Sequence, residues 1–391
     1  MHKASILPKL DIMLTFDTNR AANPGTRKTM LLKLVILFLL LAYDAFPATI
    51  DKRWYGVKPL KDEKPEGQYG PWPAVSAAGH HGDMQPVRYC FADARSLTNL
   101  GLVVTSAVEI WAPAFRHSQL RIMPDTGEAI LCNDPKVEAD ALVIHDATKD
   151  NDPVWNGGPD CPTDSATTAY RYGSRQRGRH RLDFCHLDPQ DKKGTQALAV
   201  RAMAHELGHA IGLQHEHQRP DRDNFVRFNC KNVEGYEEAK QKVDIDEQAL
   251  FEDDMSVRAR MRVACDDDEV ASAYFPAVLP FIRGSEYRIS SEKAKFDEYV
   301  RSTPFDYESI MIYNSHANTP PTAKANDPKT WTLSRKDGGA IWQGGSERAA
   351  EAKISEGDIA RVAQLYPKAD GSSDQAVRAG RWPQAQDRAR V

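Results

Sequence analysis

The chain has 391 residues, of which 41% are hydrophobic and 27% are charged, and these values predict a globular protein of one or two domains. The formal net charge is −4 and no basic stretch dominates, so the sequence gives no support for nucleic-acid binding.

The N-terminal residues are predicted to direct export. Residues 1–29 are polar and mixed and form an uncertain N-terminal extension, which is absent if Met30 is the true start. A basic flank, the apolar run 34–42 and the small residues after it predict a signal peptide over 30–48. A membrane anchor is the alternative, but the run is short for a helix that crosses about 30 Å of hydrocarbon. We therefore expect a secreted, extracellular protein without a stable membrane anchor.

The remaining chain divides by composition. Residues 49–85 are rich in proline and glycine without a period, which predicts a propeptide or an N-terminal segment. The folded domain is expected over 86–367, with an acidic helical insertion at about 234–300, and residues 368–391 are expected to be a disordered tail. The acidic run is typical of a solvated face, although it is also compatible with shaping a cleft or binding calcium.

Within the predicted domain, hydrophobic patterns indicate strands and helices in alternation. Helical spacing is found at 97–115 and again at 354–367, where Ser355 is the expected N-cap. Short strands are predicted at 87–91, 120–123, 141–144 and 179–187.

The pattern with the clearest chemical meaning is H-E-x-x-H-x-x-G-x-x-H, formed by His205, Glu206, His209, Gly212 and His215. Histidines four residues apart project from one face of a helix, so His205 and His209 are predicted to bind one metal ion. A glycine can adopt φ > 0 and end the helix, which lets the chain turn back and present His215 as the third ligand. Three neutral nitrogens with an open position are typical of a catalytic zinc site.

The string HELGHAIGLQHEHQRPDRDNF, which contains these residues, resembles the zinc-binding signature of the astacin family of metzincin metallopeptidases. That family extends the general metzincin motif with His-Glu at the third ligand, here His215 and Glu216. A charged run then follows, here Arg219, Asp221, Arg222 and Asp223.

A second stretch, FDYESIMIY at 305–313, resembles the metzincin methionine turn. The resemblance places Met311 beneath the metal-binding histidines and Tyr313 at the position of a switchable fifth zinc ligand. Astacins usually have histidine between these two residues, where this chain has Ile312. Between and around the two signatures, the resemblance extends only to the order of the elements.

The resemblance implies an α+β fold of the metzincin type with two subdomains. These comprise a twisted, mostly parallel sheet with an antiparallel edge strand, a long zinc-site helix and a largely irregular C-terminal subdomain. In metzincins the strand that precedes the zinc helix is that edge, so residues 179–187 are expected to form it and to bind substrate by β-addition.

The resemblance also implies a chemistry. One Zn²⁺ per chain is held by the three histidines, Glu206 is the general base, and Tyr313 donates a hydrogen bond to the oxyanion. Gly212, Glu216 and Met311 support the site, and in astacins the residue at the position of Glu216 contacts the N-terminus of the trimmed enzyme. A monomeric zymogen with protein or peptide substrates is expected.

Three alternatives remain open at this stage. A peptidase of another metzincin family has the same ligands without a role for Glu216. A secreted, non-catalytic zinc-binding protein is disfavoured because Glu206 is present. A membrane-anchored adhesion module requires that the run 34–42 be an anchor.

Six cysteines lie behind the predicted signal peptide, and an even number in an exported chain favours disulfides over buried thiols. Pairing of sequence neighbours suggests Cys161–Cys185, near the predicted edge strand, and Cys230–Cys265, which would close the insertion.

Overall fold

A five-stranded sheet and the two long helices packed on it form the N-terminal part of the described chain. The structure is a computed structural model, and all the residues that it describes belong to the unit Lys52–Val391. They are residues 56–57, 69–75, 84–126, 130–148, 164–185, 195–245, 250–252, 254–284, 305–341 and 352–368. The predicted N-terminal extension, the signal peptide and the tail beyond 368 lie outside these residues.

The strands confirm a mostly parallel sheet with one antiparallel edge. A separate antiparallel pair consists of β1 (Tyr69–Gly70) and β6 (Tyr170–Arg171). The strands of the main sheet are β2 (Gln85–Phe91), β3 (Leu120–Pro124), β4 (Leu142–Asp146), β5 (Ser165–Ala166) and β7 (Arg181–Phe184). Their order is β3-β2-β4-β7-β5; all neighbouring strands are parallel except the pair β7-β5, in which the edge strand β5 runs antiparallel.

The prediction for residues 179–187 was right about the strand and wrong about its place in the sheet. Strand β7 runs parallel to β4, and its other side is occupied by β5, which is the antiparallel edge. β7 therefore has no free side for an added peptide strand. Alternating side chains indicate a strand with one buried face, but they carry no information about its direction or its neighbours, which depend on tertiary pairing.

Two helices cover the sheet core. Helix α1 (Ala94–Phe115) begins after Asp93, whose side chain accepts a hydrogen bond from the Ser96 amide. Its length and apolarity alone would allow it to cross a membrane. Its buried stripe, however, packs in the domain core together with helix α2 (Thr195–Ile211), and Trp111 Nε1 donates to Ala204 O at 2.8 Å.

A second hydrophobic core organises the C-terminal part. Three helices lie within the predicted insertion, namely α3 (Tyr236–Ile245), α4 (Val257–Ala264) and α5 (Asp268–Tyr274). A 3₁₀ segment, Pro276–Phe281, follows them. The antiparallel pair of β8 (Val226–Phe228) and β9 (Leu333–Arg335) and the closing helix α6 (Glu356–Leu365) complete the described strands and α-helices. Residues 305–341 consist mostly of turns, as predicted for a largely irregular C-terminal subdomain.

Disulfides are present, and the predicted Cys230–Cys265 pair is confirmed. Cys90 and Cys132 form another pair, which joins β2 to the loop after β3. Cys185 is disulfide-bonded as well, and its predicted partner Cys161 lies outside the described residues.

Candidate metal centre

Helix α2 places His205 and His209 on the side opposite its core-facing stripe. Met203, Leu207 and Ala210 on that stripe are fully buried in the sheet core. Both histidines are also shielded from solvent, with side chains no more than 6% exposed. The i, i+4 spacing therefore presents two imidazoles to one interior point while the helix stays anchored by its other face.

The helix ends at Gly212, which turns the chain back toward the pair. Gly212 has φ +114°, and its amide donates to His209 O at 2.8 Å. A Cβ atom at this position would lie 2.7 Å from Val57 Cγ2, so the position excludes a side chain both by conformation and by space. The Val57 amide donates a hydrogen bond to Gly212 O at 3.0 Å, so a residue of the predicted N-terminal segment packs against this turn and stabilises it.

The turn brings His215 beside the helical pair. Its Nε2 atom is 2.8 Å from Nε2 of His205 and 3.1 Å from Nε2 of His209. All three candidate ligand atoms lie within 4.8 Å of one another. The structure thus gathers the three histidines that the motif predicted as ligands.

Each of the three rings is oriented through its other nitrogen. His205 Nδ1 lies 2.8 Å from Ile310 O, and His209 Nδ1 lies 3.0 Å from Leu213 O. His215 Nδ1 lies 2.7 Å from Gln218 Oε1. Because all three acceptors take a proton from Nδ1, the Nε2 lone pairs are left to face one another.

This donor set fits a zinc ion. Three converging lone pairs repel each other unless a cation lies between them, and zinc prefers neutral imidazole nitrogens in such a set. Burial lowers the pKa of His205 well below its usual value of 6.5, and the neighbouring His215 and His209 lower it further. The ring is therefore neutral at physiological pH, as a ligand must be.

Glu206 adjoins the triad in sequence, and Tyr313 packs against two of its rings. The Glu206 side chain is 7% exposed and follows His205 directly on helix α2. The Tyr313 ring centroid lies 4.5 Å from that of His215 and 5.9 Å from that of His205. A carboxylate and a phenol next to three imidazoles can move a proton and donate a hydrogen bond, respectively.

The turn at 309–311 packs against the zinc-site helix. A Cβ atom added at Gly208 would overlap Met311 Sδ, so the glycine of the helix admits the methionine. Met311 O accepts the Glu216 amide at 3.2 Å, which connects this turn to the residue after the third histidine. The fully buried Met311 therefore supports both the helix and the loop that carry the histidines.

Glu216 lies in a buried network of charges. Its Oε1 accepts from Arg219 Nη1 at 2.9 Å and from the Asp306 amide at 2.8 Å. Its Oε2 accepts from Arg361 Nη2 at 2.5 Å. The carboxylate that the resemblance assigns to the mature N-terminus is thus bound by two internal guanidinium groups.

Sequence reasoning missed several residues that the structure brings to this centre: Gly208, His217, Gln218, Asp358 and Arg361. The capping box formed by Ser355 and Asp358 was detectable, because Ser-x-x-Asp precedes the closing helix. Its second role was not detectable, since Asp358 Oδ2 also accepts the Ile310 amide at 2.8 Å across the fold.

Residues 193–256 match the family model named "Astacin", which describes a family of peptidases. Among curated proteins, this chain is 44% identical over 59 residues to zinc metalloproteinase nas-12 of Caenorhabditis elegans, covering 13% of this chain and 15% of that protein. It is 39% identical over 57 residues to high choriolytic enzyme 1 of Oryzias latipes, covering 12% and 21%. The matched stretch is thus 21% or less of either relative's length.

Among solved structures, the chain is similar to high choriolytic enzyme 1, a hatching enzyme zinc-protease of Oryzias latipes, with a TM-score of 0.37 and 18% identity. That alignment covers 72% of this chain and 90% of the other. Myroilysin matches with a TM-score of 0.36 and 13% identity, covering 76% and 96%. Residues 193–256, which contain the three converging histidines, are therefore similar in sequence to the zinc-site segment of astacin-family peptidases.

Proposed function

We propose that this protein is a zinc-dependent endopeptidase that hydrolyses peptide bonds in protein or peptide substrates. The observation that carries the proposal is the convergence of three Nε2 atoms, two of them from the helix that also carries the buried Glu206. Zinc in such a site acidifies water to a pKa of about 7 and polarises a carbonyl group. His205, His209 and His215 would hold the ion.

The roles of the flanking residues follow from their chemistry. Glu206 accepts a proton from the attacking water and delivers it to the leaving amine, which one carboxylate can do in sequence. Tyr313 would donate a hydrogen bond from its hydroxyl group to the oxyanion as the carbonyl carbon becomes tetrahedral, and its phenol would be a further metal ligand before substrate binds. Gly212, Glu216 and Met311 support the site: Gly212 ends the helix, Glu216 anchors the loop that carries His215, and Met311 packs beneath both.

We further propose that the protein acts outside the cell as a monomer with one zinc ion and is made as a zymogen. The disulfides Cys90–Cys132 and Cys230–Cys265 support an oxidising compartment. The signal peptide at 30–48 and the propeptide within 49–85 remain predictions of the sequence. The domain boundaries at 86 and 367 remain predictions too.

The test compares wild type with Glu206→Gln, which keeps the side-chain volume and removes the base. Both are exported from the full chain, trimmed, checked for one zinc each and incubated with a mixed peptide library. We expect cleavage by wild type and a loss of about 10²–10⁴-fold in kcat for the variant. Glu109→Gln, at an exposed position of helix α1, is the matched control and should cleave as wild type does.

Two outcomes would contradict the proposal. Equal cleavage by wild type and Glu206→Gln would refute the assigned base. No cleavage by either, with one zinc bound to each trimmed chain, would point instead to a secreted zinc-binding protein without catalysis.

A further inference from the structure

The residues after the third histidine contact one short stretch of the predicted insertion. His217 Nε2 donates to Pro280 O at 2.9 Å. Gln218 Nε2 donates to Ile282 O at 3.1 Å and lies 3.5 Å from Leu279 O. The stretch Pro276–Ile282 therefore presents a row of backbone carbonyls to the loop that carries His215.

Gln218 differs from the other two groups that orient the candidate ligands. Backbone carbonyls orient His205 and His209, and a carbonyl can only accept a hydrogen bond. His215 is instead oriented by a side-chain amide, 2.7 Å from Nδ1, and an amide can either accept or donate. The amide must therefore be held in one orientation if His215 is to keep the tautomer that binds a metal ion.

The carbonyls of Leu279 and Ile282 supply that constraint. Because they can only accept, they hold the NH₂ group of the buried Gln218 amide on their own side. The amide oxygen is then the atom that faces His215 Nδ1. The reverse orientation would set two acceptors against each other at Ile282 and would favour a proton on His215 Nε2, which would block its lone pair.

We propose that Gln218 is a positioning residue for the third zinc ligand and that the stretch Pro276–Ile282 determines its orientation. The helical insertion is thereby part of the metal centre. The Gly284 amide, which donates to Gln218 O at 3.0 Å, ties the same loop to the end of this stretch. Groups that orient a metal-binding histidine through its other nitrogen typically contribute about 10–100-fold to metal affinity. The inference depends on the metal-binding part of the proposed function and not on peptide hydrolysis.

The experiment measures zinc affinity of the full, disulfide-bonded protein by competition with a chromophoric chelator. Gln218→Met keeps the length of the side chain and removes the acceptor, and we expect it to bind zinc about 10–100-fold more weakly than wild type. Gln218→Glu keeps an acceptor for His215 Nδ1 but loses the amide group that donates to Ile282 O, so it should bind zinc more tightly than Gln218→Met and more weakly than wild type. In cobalt-loaded protein, Gln218→Met should also alter the visible absorption bands, whereas a loss of stability alone would leave them unchanged.

The matched control is Asn232→Leu. Asn232 Nδ2 donates to Lys329 O at 2.8 Å and to Trp331 O at 2.7 Å, so this variant also removes an amide that binds two carbonyls. Because Asn232 makes neither of these bonds to a histidine, zinc affinity should stay within about twofold of wild type. Gln218→Met with wild-type affinity and wild-type cobalt bands would overturn the proposal.

If Gln218→Met does not fold, the metal-free wild-type protein decides by itself. Nitrogen-15 NMR shows which ring nitrogen of His215 carries the proton: a proton on Nδ1 supports the acceptor role of Gln218, and a proton on Nε2 overturns it. Because zinc affinity is the readout, a wild-type protein that binds zinc and cleaves nothing contradicts the proposed peptidase activity without affecting this inference.

Discussion

Glu216 and Arg361 form an ion pair with no solvent exposure on either side chain, with 2.5 Å between Oε2 and Nη2. The pair joins the residue after the third histidine to the closing helix α6. One turn earlier on that helix, Asp358 accepts from Ser309 Oγ at 2.7 Å and from the Ile310 amide. Helix α6 therefore holds both the loop of His215 and the turn whose carbonyl orients His205, although Arg361 is 145 residues away from Glu216 along the chain.

We predict that Arg361→Met lowers the free energy of unfolding by about 3–5 kcal/mol, because it leaves the buried Glu216 with one cation fewer. Urea unfolding of the metal-free protein measures the change. Arg283→Met is the control, since Arg283 pairs with Asp223 and Asp266 at the surface and should contribute no more than about 1 kcal/mol. A similar small cost for both variants would contradict the prediction, and adding Glu216→Gln to Arg361→Met should recover part of the loss.

If Tyr313 acts as proposed, Tyr313→Phe should keep the zinc ion bound to the three histidines and retain substrate affinity while kcat falls by about 10²–10³-fold, because the phenol would donate only as the oxyanion forms. Steady-state kinetics on one cleaved peptide measure the separate changes in kcat and KM. Tyr307→Phe is the matched control, because its hydroxyl donates to Phe225 O at 2.9 Å in the same part of the fold. A kcat for Tyr313→Phe equal to that of the control would exclude a role for the phenol in the reaction.

Gly208→Ala should destabilise the protein by about 1–3 kcal/mol, because a methyl group there overlaps Met311 Sδ and lies 3.1 Å from Trp111 Cζ2. Gly101→Ala on helix α1 meets nothing nearer than Leu97 Cδ1 at 3.8 Å and should stabilise by about 0.5–1 kcal/mol. The midpoint temperature of thermal unfolding should therefore fall for Gly208→Ala and rise for Gly101→Ala. A Gly208→Ala variant as stable as wild type or more stable would show that the close approach of Met311 carries no cost.

Stability should fall in acid through His180. Burial lowers the pKa of this ring to about 4. In the neutral ring, Nε2 accepts a hydrogen bond from the Arg171 backbone amide at 2.9 Å, and Nδ1 donates to Asp140 O at 2.8 Å. The folded pKa lies below the unfolded value, so the stabilisation is complete above about pH 6.5 and is lost as the pH falls toward 4. The loss is on the order of 3 kcal/mol.

Urea unfolding of the metal-free protein across this pH range measures the effect, and His180→Gln is the comparison. The variant should be less stable at neutral pH and should show a shallower decline in acid, because it cannot take up the proton. Other groups titrate in both proteins, so the difference between the two curves isolates the ring. Parallel curves would show that His180 does not control the acid transition.

Local patterns were enough to predict much of this protein. The spacing of His205 and His209 depends only on helix geometry, and the turn at Gly212 depends only on the freedom of a residue without Cβ. Short apolar runs likewise predicted the strands at 87–91, 120–123 and 141–144, because such runs depend only on residues that are neighbours in the chain. Such features are encoded by neighbours in the chain, so the sequence by itself determined the triad, the helix that carries two of its members and the order of the elements.

Tertiary structure decided which distant groups meet. The alternation at 179–187 contained no sign that β7 would lie between β4 and β5, because strand direction is set by pairing. Nothing near Glu216 in sequence indicated that Arg361 would neutralise it, and nothing near Gln218 indicated that its amide would meet the carbonyl of Ile282. Burial makes each of these contacts necessary, since a charge or amide without water needs a partner, and only the folded chain determines which partner lies within reach.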